Sequence, residues 1–251
     1  MPASGTQAVD RAAHLVGLVV RSDRAVTFSD LCIATGMPRS TTSRILAALE
    51  RSSLLGRDPS GAWLAGPLFA QHAARQGRDE DLARLSQRVM QQLGELTGET
   101  VNVGVAHGGE VVHIAQVAST YILASRDWVG VQVPPHLSAL GKVLYAEHVL
   151  DLPTGRLARP TKAAVASSAE LRTQLPGIRA RGYATTIDEL EVGLTGIAAP
   201  VIVDGTCLAA LGVSGPSARL ADHLPTLGPA VLRAARTLSN QIDQHRKDGA
   251  A

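Results

Sequence analysis

Residues 36–55 read GMPRSTTSRILAALERSSLL, and the fold of the first third of the chain turns on them. Pro38 opens a helix at its first position, where the missing backbone N–H costs nothing and the fixed φ is already helical. From there Thr41, Ile45, Ala48 and Leu49 recur at helical spacing and make one stripe. The opposite stripe holds Arg39, Ser40, Ser43, Arg44, Ala47 and Arg51, with three cations, two hydroxyls, one small side chain and no carboxylate. Glu50 is the helix's only acid and stands near its end. Such a face suits entry into the DNA major groove. Hydroxyls reach base edges or phosphates, Arg forks onto guanine or a phosphate, and Ala lets the backbone come close. An ordinary solvated helix can carry the same face, so the flanking sequence has to decide.

Working outward, residues 9–20 form a first helix with Val9, Ala12, Val16 and Val19 on one face. Thr27-Phe28-Ser29-Asp30 has the form of a capping box, a hydroxyl three residues before a carboxylate. It predicts a short helix over 28–35 with Leu31 and Ala34 facing inward, stopped by a left-handed Gly36. Two helices joined by a tight Gly-containing turn are a helix-turn-helix with the second helix as reader. After the reader, two short extended runs flank Asp58-Pro59-Ser60-Gly61, a strong turn signal. They predict a β-hairpin wing with Arg57 placed for a phosphate. The whole series specifies a winged helix-turn-helix far better than any one part.

Composition agrees. A chain of 251 residues suits one large or two medium domains, and 45% hydrophobic content is ample for their cores. Cys32 and Cys207 have no second thiol near them in sequence, which argues against a disulfide framework or a zinc site and for a reducing cytoplasm. No run approaches a membrane span, and the first residues lack the layout of a signal peptide. Residues 1–78 carry nine Arg against five acids, a surplus of four positive charges; residues 79–251 carry 15 basic against 17 acidic residues, a deficit of two. A basic first third fits a nucleic-acid module attached to something else.

Residues 67–76 read as an Ala-rich helix, broken at Gly77-Arg78-Asp79 before a second helix over 81–97. Beyond Gly98 the period changes. Residues 100–106 and 110–117 are Val-rich alternating runs joined by His107-Gly108-Gly109, a hairpin. An extended stretch over 121–133 ends at Pro134-Pro135, and a helix opens at His136 and runs to about Leu150. Another helix covers 168–181, kinked by Pro176 and closed by Gly182; strands over 197–203 and 208–214 and a helix over 221–245 complete the chain. Mixed strands and helices predict an α+β domain, an antiparallel sheet covered by helices.

Catalytic patterns fail in this half. His136, Ser138 or Ser214, and Asp188 can be drawn as a triad, but no Gly-x-Ser-x-Gly elbow surrounds either serine. Leu140-Gly141-Lys142-Val143 lacks the remainder of a phosphate loop, and the eight histidines have no metal-ligand spacing. We therefore expect no catalytic residues, no metal and no cofactor. A ligand-binding module fits better. His136–Gly141 puts small residues and a hydroxyl at a helix start, where free N–H groups favour an anion. The strands around Gly196 and Gly212 are poor in side-chain bulk, which signals close approach by a ligand or by a packed helix.

Nearly the whole chain resembles the IclR-type bacterial transcriptional regulators. The likeness is carried by VDRAAHLVGLVV, by LCIATGMPRSTTSRILAALERSSLL, by GRDPSGAWLAG, by the H-x-S-x-x-G-K run at His136, by the acidic loop ending in G-x-x-x-I-A-A-P-V, and by the strand ending in V-S-G-P. It implies a winged helix-turn-helix over 1–66, a helical linker over 67–80 that contributes to dimerisation, and a GAF-like effector domain over 81–251. The expected DNA contacts are Arg39, Ser40, Thr42, Ser43, Arg44, Arg51 and Arg57. The expected partners are a pseudo-palindromic double-stranded operator, a small organic-acid effector and a second copy of the chain, as homodimer or homotetramer. Carried over by position, the effector lining is Ile122, Ala139, Leu140, Thr186, Leu194, Gly196, Gly212 and Ser214, with Trp128 as a wall and the carboxylate at Ser138–Gly141. Members binding small oxoacids tend to place an acid near Thr186, a cysteine near Gly196 and a serine near Gly212. This sequence has none of these, so its pocket should be roomier and less polar. Two other readings stay open at this point: a small-molecule enzyme with an accessory nucleic-acid domain, and a helical protein-interaction module.

Overall fold

The computed structural model describes residues 6–121 and 127–249 and divides into two compact units, Met1–Arg78 and Asp79–Ala251. The first contains α1 (Gln7–Val20), α2 (Phe28–Thr35), α3 (Arg39–Arg51) and a hairpin of β1 (Leu55–Arg57) with β2 (Trp63–Ala65). Leu15, Val19, Leu31, Leu46, Leu49, Leu55 and Trp63 make its core. Val26 exchanges both backbone hydrogen bonds with Trp63, at 2.7 and 2.8 Å, and so adds a third short strand to the wing.

Local signals around α2 act as the sequence predicts. The Thr27 side chain accepts from the Asp30 N–H, and its hydroxyl donates to the Asp30 carboxylate at 2.7 Å. Gly36 stops the helix at φ 64°, its N–H donating to the Cys32 carbonyl. In the wing turn the Asp58 carboxylate accepts from the Ser60 hydroxyl and from the N–H groups of Ser60 and Ala62. The Ser60 hydroxyl, then these N–H groups, hold the carboxyl below its ordinary range.

The buried faces differ from expectation by about one residue. On α1 Val19 is buried and Ala12 and Val16 pack against the core as expected, while Val9 is 66% exposed and Leu15 is sealed in its place. Ala34 is exposed; α2 is two turns long and seats only Leu31. On α3 the sealed stripe is Thr42, Leu46 and Leu49 rather than Thr41, Ile45, Ala48 and Leu49. Pro38 stands one position before the helix, extended at ψ 139°.

Helix α4 (Pro67–Thr97) runs unbroken through Gly77, which corrects the expected break there. A single helical Gly costs about 1 kcal/mol relative to Ala, too little to undo the turns on both sides. The boundary between the two units falls within this helix, between Arg78 and Asp79.

The second unit is built on one antiparallel sheet of β3 (Thr100–His107), β4 (Glu110–Val117), β5 (Gln132–Val133), β6 (Ala184–Ile187), β7 (Leu194–Val203) and β8 (Thr206–Pro216), in the order β5-β4-β3-β8-β7-β6. Gly108-Gly109 and Asp204-Gly205 make two-residue turns with positive φ at both positions, the hand that matches strand twist. On one face Val89, Met90 and Leu93 of α4 and Val231, Ala235 and Leu238 of α8 (Leu224–Gly249) cover Val101, Val103, Leu211 and Val213. On the other, α5 (Ala139–Ala146) and α6 (Ser168–Arg181) cover Ala198 and Ala210. The short α7 (Ser217–Leu220) precedes α8.

Three expectations are corrected here. Of the stretch 121–133 only Gln132–Val133 is a strand among the described residues. The helix expected from His136 to Leu150 is a 3-10 turn, Pro135–Leu137, followed by α5, which ends at Ala146. Ser138 is extended between them and caps α5, so the chain bends there. The edge strand β6 was not expected. No helix among the described residues is long and apolar enough to cross a membrane.

Candidate functional site

Two places in the chain collect the predicted site residues. The first is the outer face of α3, where Arg39, Ser40, Ser43, Arg44 and Arg51 are all exposed. The start of this helix is open: Pro38 supplies no capping hydrogen bond, and the first turn holds no acid. The N–H groups of Arg39, Ser40 and Thr41 thus face outward at the positive end of the helix dipole, beside two guanidinium groups. Arg39 is steadied over the Phe28 ring, 4.8 Å from its centroid. This is an anion-attracting, donor-rich edge.

Thr42 does not belong to it. The residue is fully buried and its hydroxyl donates to the Pro38 carbonyl at 3.2 Å, so its polarity is spent inside the helix. Arg57 is also differently employed. Its guanidinium makes two bonds of 3.1 Å to the Glu50 carboxylate and lies 4.2 Å from the Trp63 ring. It braces the wing against α3 and neutralises the only acid of the reader helix, leaving that face to Arg39, Arg44 and Arg51.

The second place is a cavity between the sheet and the start of α5, with about 520 Å³ of empty space including its mouth. Asn102, Thr186, Gly196, Gly212 and Ser214 line it from the sheet, and Leu137, Ser138, Ala139 and Leu140 from the turn and helix above. Trp128, His113 and Val133 close one side, Leu190 and Leu194 another. Of the predicted lining, Trp128, Ser138, Ala139, Leu140, Thr186, Leu194, Gly196, Gly212 and Ser214 are brought together. Ile122 lies outside the described residues. Gly141 is a correction: it does not line the cavity, because a side chain there would overlap the Pro135 backbone. It is a packing glycine between α5 and the preceding turn.

The glycines of the strands serve helix and cavity together. A Cβ on Gly212 would stand 3.1 Å from Leu140 Cδ2, and one on Gly196 would stand 3.6 Å from the Ala139 Cβ. Their absence lets the first turn of α5 settle close to the sheet. Ser138 caps that turn, accepting from the Gly141 N–H at 3.0 Å, and its carbonyl takes the Lys142 N–H. The Ala139 and Leu140 N–H groups are left as the donors of the helix start.

No Asp, Glu, Lys or Arg is among the described residues lining the cavity. His113 is buried, which pushes its imidazole below the ordinary value, so it is neutral near pH 7. It stacks on Trp128 with ring centroids 5.9 Å apart. The Asn102 amide donates to the Ser214 hydroxyl at 3.2 Å.

Behind the lining, Lys142 of α5 donates to both oxygens of Glu189 at 2.6 and 2.8 Å, and the Glu189 carbonyl accepts from the Thr161 hydroxyl. Burial pushes the Lys142 ammonium down and the Glu189 carboxyl up, while their pairing opposes both. The neighbouring Asp188 carboxylate accepts from the Ser217 hydroxyl and the Gly193 N–H, which hold it below its ordinary range, the hydroxyl most. This segment carries Leu190 into the cavity wall.

The drawn triad does not assemble. His136 bonds the Ala158 carbonyl, Asp188 is engaged as above, and Ser138 caps a helix. Sequence reasoning missed Asn102, His113 and Leu190, and with them Val133, Leu137, Thr195, Ile197 and Val213. A signal existed for two of them, since Asn102 and His113 are the polar interruptions of otherwise apolar strand interiors, TVNVGVA and VVHIA.

A winged helix-turn-helix with an open basic reader helix, joined to an α+β unit enclosing a cavity, defines a ligand-responsive DNA-binding regulator. The IclR helix-turn-helix domain matches residues 8–59, and the bacterial transcriptional regulator IclR C-terminal domain matches residues 76–240, so the chain belongs to the IclR family. It is 32% identical to the HTH-type transcriptional regulator BhcR of Paracoccus denitrificans over 243 residues, 94% of this chain and 87% of that one. It is 31% identical to the HTH-type transcriptional repressor AllR of Escherichia coli K12, over 95% of this chain and 91% of that one. The solved structure of the Thermotoga maritima IclR shares the fold, with a TM-score of 0.61 and 21% identity over 94% of this chain and 98% of that one. The chain is a transcriptional regulator with a DNA-binding helix-turn-helix and a C-terminal effector-binding domain, and its named relatives are regulators and repressors rather than enzymes.

Proposed function

We propose that this regulator senses an organic acid with an apolar or aromatic body, and that occupancy of the cavity sets the affinity of a dimer for a pseudo-palindromic operator in the cytoplasm. The observation that carries the reading is the cavity itself, walled by Trp128, His113, Leu140 and Leu194 and without an ionised side chain among its described lining. A carboxylate there is met by the N–H groups at the start of α5, held in place by the Ser138 cap. The rest of the ligand rests on aromatic and aliphatic surface. Residues 1–66 read DNA, 67–80 link, and 81–251 bind the effector. Arg39, Ser40, Ser43, Arg44 and Arg51 make the DNA contacts. Two reader helices related by two-fold symmetry match a palindrome, which is why the working unit is at least a dimer.

Calorimetry on the full chain tests the effector class. Benzoate-type and branched-chain acids should bind and glyoxylate should bind far more weakly. Tight glyoxylate binding with none for aromatic acids would overturn the proposal.

A further inference from the structure

We infer that Asn102 is the specificity-determining residue of the cavity, and that the effector carries a hydrogen-bond donor, such as a hydroxyl, on the part directed at the sheet. The inference rests on the reading of the cavity given above and deepens it. Asn102 lies in β3 opposite Gly212 and is only 3% exposed. Because Gly212 has no side chain, the strand beside the amide presents bare backbone. One end of the amide is used, Nδ2 donating to the Ser214 hydroxyl. The other end, Oδ1, has no partner among the described residues although it is buried at the cavity wall.

A buried acceptor without a donor is a standing cost, because water no longer solvates it and nothing replaces the water. Native interiors rarely tolerate such a group unless a ligand, ion or water answers it. No ionised side chain stands among the described lining to answer it. Thr100, two residues earlier on β3, also buries a hydroxyl with no partner among the described residues, but it stands outside the lining and leaves Asn102 as the acceptor at the cavity wall. Asn102 faces a cavity whose other surfaces are the apolar Leu140 and Leu194, the aromatic pair, and the start of α5. A ligand with an acid at the helix end and a donor toward Asn102 satisfies both polar groups. One without the donor leaves Asn102 dry and unpaired. Sites built around a buried polar group reject the analogue lacking its partner far more strongly than apolar sites reject an extra methylene.

The test compares 4-hydroxybenzoate with 4-methylbenzoate, which matches it in size and lacks the donor. Calorimetry is run on the full-length wild type and on Asn102→Leu. The wild type should favour the hydroxyl compound by roughly 10- to 100-fold, and Asn102→Leu should abolish or reverse that preference. The wild-type comparison stands even if the variant fails to fold. Equal wild-type affinities for the two acids overturn the assignment of Asn102 and leave the proposed effector class intact. If neither binds and glyoxylate does, the effector class falls and takes this inference with it.

Discussion

The start of α3 and the start of α5 both leave N–H groups without a partner among the described residues, yet they are built in opposite ways. α3 has no capping side chain and no acid in its first turn, and it sits among the exposed guanidinium groups of Arg39 and Arg44. α5 is capped by Ser138, buried along its whole length, and faces a cavity without an ionised residue among its described lining. The first attracts anions by Coulomb forces through water, weakly per contact and over a distance. An anion at the second would be held by fixed dipoles in a low dielectric, where each hydrogen bond counts for more but desolvation must be repaid. An operator offers many phosphates and can be read by the first kind of site. A single small acid needs the second.

Salt should separate the two sites most sharply. If about six phosphates are contacted, operator affinity falls by roughly a thousandfold or more between 50 and 200 mM salt. Effector affinity, measured by calorimetry over the same range, should hardly move, because buried interactions are poorly screened. A flat operator slope would reduce the α3 surface to an ordinary solvated face.

Next in size is the scaffold of the cavity. Lys142→Ala leaves Glu189 buried without its counter-ion and should cost about 3–5 kcal/mol in chemical unfolding. The paired replacement of Lys142 and Glu189 by Met should recover most of that loss. A small loss for the single variant would mean that water reaches the pair. On the DNA side, Arg44→Ala should weaken operator binding by about 1–3 kcal/mol if Arg44 contacts a base. Unchanged binding in a gel-shift would show that α3 presents a different edge.

The smallest effect is a pH dependence. Burial holds the folded-state pKa of His113 below the ordinary 6.5. Below that value the unfolded chain binds a proton that the folded chain does not, so stability is lost as pH falls toward the folded-state value. Melting temperatures at pH 7.5 and 5.5 should therefore drop more for the wild type than for His113→Phe. Equal drops would show that the imidazole is solvated.

The comparison also explains what could be read in the sequence. The first unit is written in local signals: Thr27 with Asp30, Gly36, and Asp58-Pro59-Ser60-Gly61 each act within a few residues, and all appear as expected. What failed there was rotation. Thr42 and Thr41 are one residue apart, and only packing around Leu46 reveals which turns inward. The cavity is written in long-range pairings. Asn102 meets Ser214 across 112 residues, and Lys142 meets Glu189 across 47. The irregularity between Val103 and Gly104 interrupts the alternation that would otherwise assign strand faces. Family likeness supplied Thr186, Gly196 and Gly212, but it did not supply Asn102, His113 or the buried ion pair.

If the cavity governs the reader helix, filling it must change the grip on the operator. Fluorescence anisotropy on DNA upstream of the gene, at one fixed salt concentration, addresses it directly. The titration is run without ligand and with an aromatic acid at a concentration that calorimetry shows to fill the cavity. Operator affinity should then shift by about 5- to 150-fold. An operator affinity that stays the same with the cavity filled would contradict it.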